Sequence, residues 1–174
     1  MTPTTVPTKE QAPPGSRKYF DYFANRLGKM PNLYAVMAFS EHGLETYLQL
    51  QRRKRLLNRQ ETEIIGLVIS AGHEADYCVS NHSMIAKLNG LDDLQIREVC
   101  AGTAGFDPKL DVLARLAQNI FLTRAKPDPR LVQEFFDAGY TVAHLLDVAI
   151  TIGDNVISNI ISNTMHIPAD NPGL

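Results

Sequence analysis

A thiol and an imidazole stand four residues apart in the stretch HEADYCVSNH, at Cys78 and His82. On a helix that spacing puts both side chains on one face, where they can approach each other. Cys78 also falls within the first turn or two of the helix predicted there. The backbone amides and the dipole at a helix start favour a thiolate, and an adjacent imidazolium favours it further. A thiolate is the species that attacks a peroxide oxygen or a disulfide sulfur. Redox proteins commonly place a second cysteine three residues earlier, and here that position is Ala75. The same residues admit a plainer reading, since cysteine and histidine both occur as satisfied core residues. His73, Cys78, His82 and Glu63 could together also be read as a metal site. Their spacing matches no usual closed structural zinc site, so no metal is expected.

The elements that must position these residues are helical from Arg17 onward. RKYFDYFANRLG puts Tyr19, Phe20, Phe23 and Leu27 on one face, with Gly28 placed to end the helix. NLYAVMAFSEHGLETYLQLQRRKRLL predicts one long helix, or two bent near Gly43. NRQETEIIGLVISAG predicts the next, with Asn58 and Glu61 resembling a capping box. A turn around residues 72–75 leads into DYCVSNHSMIAKLNG, closed by Gly90. Shorter helices follow, from about Asp92 to Ala101, through LDVLARLAQNIFLTR and through LVQEFFDAG.

The last helix, TVAHLLDVAITIGDNVISNIISNTM, is the most apolar. Asp147 and Asp154 argue against a membrane span. Leu145, Val148, Ile152, Val156 and Ile160 have the spacing of a buried helix face. Asn155, Asn159 and Asn163 form a stripe that must find hydrogen-bond partners inside the subunit or across a subunit interface. The expectation is an all-α fold in one domain over 17–174. A flexible arm, MTPTTVPTKEQAPPGS at 1–16, precedes it.

Composition narrows the function classes. A chain of 174 residues can bury a core without disulfides, and 44% apolar with 21% charged residues is ordinary for a soluble protein. A formal net charge of -2 gives no electrostatic reason to expect nucleic acid or a membrane as partner. The one basic cluster, QRRKRLLNR, is short and reads as the solvated end of a helix. Two cysteines make no disulfide framework, and the N-terminal residues lack the profile of a secretory signal, so the expected location is cytoplasmic. The absence of a glycine-rich phosphate loop implies no organic cofactor. His42, His144 and His166 read as structural.

The run LNRQETEIIGLVISAGHEADYCVSNHSMIAKLNGL resembles the signature of the AhpD-like alkylhydroperoxidases in the carboxymuconolactone decarboxylase superfamily. That signature is Glu, eleven residues, Cys-x-x-Cys, three residues, then His. Glu63, Cys78 and His82 match it without a gap, and Ala75 departs from it. The flanking stretches RLGKMPNLYAVMAFSEHGLETYLQL and DAGYTVAHLLDVAITIGDNVISNIISNTMHIPAD are similar to the peroxidase-related branch. The likeness runs from roughly Tyr19 to Asp170.

The resemblance implies that Glu63 and His82 form a proton relay to Cys78, which attacks a hydroperoxide and becomes a sulfenic acid. Tyr77 matches a Tyr-or-His position and would orient the relay, line the pocket or simply pack. In the usual members the upstream cysteine resolves the sulfenic acid. With Ala75 an external thiol must do so, or the sulfur risks overoxidation. Cys100 could resolve it only if the two Cα atoms came within roughly 7 Å, and it reads as a core residue. The implied partners are a small hydroperoxide, a thiol reductant and further copies of the chain in a trimer or hexamer. Two alternatives stay open. One is a lyase acting on a small lactone acid, which would need cations for carboxylates, Lys87 being the nearest in sequence. The other is a binding protein that has lost turnover.

Overall fold

Proline, glycine and capping residues set the helix boundaries. In the computed structural model, which describes residues 5–170, they delimit nine helices and no strand among the described residues. The helices are α1 (Pro14–Leu27), α2 (Asn32–Met37), α3 (Gly43–Gln51), α4 (Arg59–Gly72), α5 (Asp76–Leu88), α6 (Asp93–Cys100), α7 (Pro108–Leu122), α8 (Pro129–Asp137) and α9 (Val142–Met165). The all-α expectation holds. The stretch read from sequence as one domain gathers into two compact units, residues 5–54 with 160–170 and Arg55–Asn159. The division falls within α9, whose 24 residues extend for about 36 Å at the helical rise of 1.5 Å per residue.

In the first unit α1 begins at Pro14, three residues ahead of the expected start at Arg17. Proline suits a first helical position because its φ is pre-set and its missing N–H has no intrahelical partner to lose. The residues just before it are held as well. Arg17 Nε donates to the Ala12 carbonyl at 3.0 Å, Lys9 pairs with Asp21 at 2.6 Å, and Ala12 is buried. Of the expected arm, residues 1–4 lie outside the described residues. Tyr19, Phe20 and Phe23 are buried as expected, whereas Leu27 is exposed on the last turn, where Gly28 at φ 79° ends the helix. The long segment that follows is two helices, with a turn at 38–42 between them. Phe23 packs on Tyr34 at 4.9 Å, and the Tyr34 hydroxyl donates to Gln51 at 2.7 Å. The Asp170 carboxylate accepts from the Asn32 amide at 2.8 Å.

The second unit is built on α4. Ile64, Ile65, Leu67 and Ile69 are fully enclosed, each contributing about 1.5–3 kcal/mol by leaving water. They pack among α5, α6 and α7. Behind them Phe135 and Tyr140 stack at 4.3 Å, and the Tyr140 hydroxyl donates to the buried Glu61 carboxylate at 3.0 Å. Burial first, then the charge of Glu61, pushes the Tyr140 phenol well above its usual range.

α9 turns the expected apolar line toward the core and buries polar residues beside it. Asp147, Thr151, Asp154, Asn155, Ser158 and Asn159 are buried, while Val142, Leu146, Ile150, Ile157 and Ile160 are exposed. Of the expected line, Val148 is enclosed, Leu145, Ile152 and Val156 pack partly buried against the core, and Ile160 is exposed. Hydrogen bonds make the polar face tenable. Asp147 accepts from the Leu56 amide at 2.5 Å, and Asn155 donates to the Thr151 carbonyl at 2.8 Å. Asn159 accepts from the Ser70 hydroxyl at 3.1 Å. Asn155 and Asn159 thus find partners inside the subunit, and Asn163 is exposed. By length and composition α9 could cross a membrane, but two buried carboxylates mark a helix packed against protein.

Candidate active site

The start of α4 is fixed by reciprocal bonds: the Asn58 side chain accepts from the Glu61 amide at 2.9 Å, and the Glu61 carboxylate accepts from the Asn58 amide at 2.8 Å. From that start, Glu63 and Gly66 fall three apart on one helix face. The chain reverses after α4 through His73, Glu74 and Ala75, with Glu74 in the left-handed region at φ 51°. The Ala75 amide donates back to the Ser70 carbonyl at 3.0 Å. Ala75 itself is the residue that precedes α5 and is completely buried. Cys78 is then the third residue of α5, inside its first turn as the sequence implies, and is 3% exposed. Tyr77 beside it is buried too.

Because the turn is short, α5 runs back along α4. His82, one turn beyond Cys78, meets Glu63 with Nδ1 and Oε2 2.7 Å apart. Glu63 is 8% exposed. An ionised carboxylate can only accept, so the shared proton sits on Nδ1 and His82 is left with Nε2 as its basic nitrogen. The imidazole lies flat over Gly66. A Cβ at that position would come within 2.5 Å of the ring Cε1 and 2.6 Å of Nδ1. Gly66 is therefore a positioning residue that the sequence reading missed. The available signal was a glycine inside an apolar helix, where it costs about 1 kcal/mol relative to alanine and asks for a packing reason.

A groove of about 330 Å³ lies at Glu63, lined by Arg59, Glu63, Ile85, Leu88 and Asn89. Arg59 was passed over in sequence because it closes the basic cluster read as a solvated helix end. Lys87, the cation nearest in sequence, is instead held by Asp93 at 2.7 Å on an exposed surface. His73 stands apart from the pair. Its Nδ1 is 2.9 Å from the Ile69 carbonyl oxygen, and its ring meets Phe121 edge-on at 4.6 Å. Among the described residues no three His, Cys, Asp or Glu side chains are grouped to hold a metal ion. Cys100 ends α6 and packs against the core, where burial pushes its thiol up, away from the thiolate. Neither cysteine is in a disulfide.

Comparison with known proteins fits this geometry. The family model described as the carboxymuconolactone decarboxylase family matches residues 40–118, which include Glu63, Cys78 and His82. No curated protein sequence matches the chain. Among solved structures, a peroxidase-related protein from Silicibacter sp. TM1040 superposes with a TM-score of 0.83 at 19% identity, covering 97% of this chain and 92% of that one. The alkylhydroperoxidase AhpD core of a peroxidase-related protein from Ralstonia eutropha JMP134 gives 0.85 at 18%, covering 96% and 91%. A cysteine-to-alanine variant of the debrominase Bmp8, in complex with 2,3,4-tribromopyrrole, gives 0.76 at 16%, covering 98% and 92%. At these identities the structural likenesses establish the fold.

Proposed function

We propose that this chain, whose residues 40–118 match the carboxymuconolactone decarboxylase family and whose fold is that of the AhpD core, reduces organic hydroperoxides with electrons from an external thiol. The observation that carries the reading is the 2.7 Å bond between Glu63 and His82, with Cys78 one turn before His82 at the start of the same helix. Glu63 holds the imidazole so that Nε2 is the basic nitrogen, and the relay takes the proton from the Cys78 thiol. The thiolate attacks the terminal peroxide oxygen. The S–O bond forms, the O–O bond breaks, and the departing alkoxide takes up a proton to leave as the alcohol. Cys78 becomes a sulfenic acid. A first external thiol condenses with it, releasing water and forming a mixed disulfide. A second restores Cys78 and departs as the oxidised disulfide. Ala75 leaves no cysteine at the resolving position, so the thiol that condenses with the sulfenic acid comes from outside the chain.

The chain works as a homo-oligomer, a trimer or hexamer. The support is the exposed apolar face of α9 formed by Val142, Leu146, Ile150 and Ile157, since monomeric proteins rarely leave such a face in water. Sedimentation at micromolar concentration should give a species larger than a monomer; a monomer sinks this part of the reading. The chemistry is tested by following consumption of cumene hydroperoxide with and without added thiol. The native sequence should turn over with thiol, Cys78→Ser should be inert, and Ala75→Cys should turn over faster through an intramolecular disulfide, at the same two thiols per peroxide. If Cys78→Ser consumes peroxide as fast as the native protein, the reading is wrong.

A further inference from the structure

The groove beside the Glu63–His82 pair has a chemical polarity of its own. Glu63 and Arg59 lie one turn apart on α4, while Ile85, Leu88 and Asn89 come from the far end of α5. On α5 the residues Cys78, His82, Ile85 and Asn89 follow at spacings of four, three and four, a single helical stripe. α4 and α5 run in opposite directions, with His82 against Glu63 and Gly66, and the end of α5 beside the start of α4. The groove therefore begins at Glu63, the partner of His82, continues over apolar side chains and ends at a guanidinium. Leu88 is 81% exposed and Ile85 37%, so the apolar floor is uncovered. Arg59 makes no ion pair among the described residues, and the Glu63 carboxylate is already engaged by His82.

From this arrangement we infer that the site takes anionic amphipathic substrates, whose apolar body lies on Ile85 and Leu88 and whose carboxylate is held by Arg59. The inference rests on the reading of Glu63, His82 and Cys78 as the reaction centre. A guanidinium presents several N–H donors in a plane and suits a carboxylate better than any other exposed side chain. It sits at the start of α4, where the helix dipole adds to the attraction. Under this reading the preferred peroxide is a carboxylate-bearing alkyl hydroperoxide, such as a fatty-acid hydroperoxide, rather than hydrogen peroxide or a neutral aryl one. Asn89 at the same end offers an amide donor to the same group.

Calorimetric titration with octanoate and with the neutral octanamide, on the native protein, Arg59→Gln and Leu88→Asp, tests the inference without requiring turnover. Octanoate should bind the native protein; Arg59→Gln should weaken it by about tenfold, the usual scale for losing one charge-assisted contact, and Leu88→Asp should weaken it by removing apolar surface and adding a like charge. Octanamide should be indifferent to Arg59→Gln and sensitive to Leu88→Asp. In parallel, Arg59→Gln should raise KM for a fatty-acid hydroperoxide by about tenfold. Equal octanoate binding by the native protein and Arg59→Gln overturns the anchor, even if cumene hydroperoxide is still consumed. Arg59-dependent octanoate binding with no peroxide consumed sustains the anchor and removes the peroxidase reading alone.

Discussion

Replacing Gly66 by alanine should separate the role of that glycine from ordinary helix propensity. The new Cβ would stand 2.5 Å from His82 Cε1 and 2.6 Å from Nδ1, whereas non-bonded carbons rest at about 3.5–4.0 Å. The ring must retreat by about 1 Å, which carries the 2.7 Å contact with Glu63 beyond the roughly 3.2 Å limit of a good hydrogen bond. Losing a bond to a charged partner costs about 1.5–3 kcal/mol, and removing a glycine from a helix returns about 1 kcal/mol. Gly66→Ala should therefore destabilise the protein by about 1 kcal/mol and lower Tm by about 2–4 °C. In a His82→Ala background no ring is in the way, and the same substitution should stabilise by about 1 kcal/mol. Urea melts of the four proteins measure the coupling directly, at about 2 kcal/mol. The diagnostic is the change of sign. Equal effects of Gly66→Ala with and without the imidazole would falsify the placement of His82 over Gly66.

Other perturbations read different parts of the same frame. Glu63→Gln and His82→Ala should each slow the reaction of Cys78 with peroxide by about 10²-fold, measured by stopped-flow under single-turnover conditions; unchanged rates would remove the relay while leaving the fold intact. Asn58→Ala removes half of the capping box that starts α4 and should cost about 1 kcal/mol, seen as a lower urea midpoint with an unchanged slope. Tyr140 tests the alkaline limb. Its folded-state phenol is raised above the free value of about 10 by burial and by Glu61. Its contribution to stability is therefore complete below pH 10 and declines as pH rises beyond it. Tyr140→Phe should be less stable than the native protein at pH 7, through the lost bond to Glu61, and should lose part of the decline above pH 10. A decline of the same steepness in both proteins would refute the assignment to Tyr140.

Local sequence determined much of this protein. The capping box at Asn58 and Glu61, the glycines at 28 and 90, and the spacing of Cys78 and His82 are short-range properties, and each stands in the structure where the pattern puts it. The signature residues also foretold the pairing of Glu63 with His82 across two helices. Other features depended on which surfaces meet. Periodicity finds the core-facing line of α9 but not the polar residues buried beside it, which backbone and side-chain partners satisfy. Arg59 looked like one charge in a basic run until the antiparallel turn of α5 set Ile85, Leu88 and Asn89 beside it. Gly66 carries no side chain to signal a role. Its importance lies in the space that tertiary packing gives to the ring of His82.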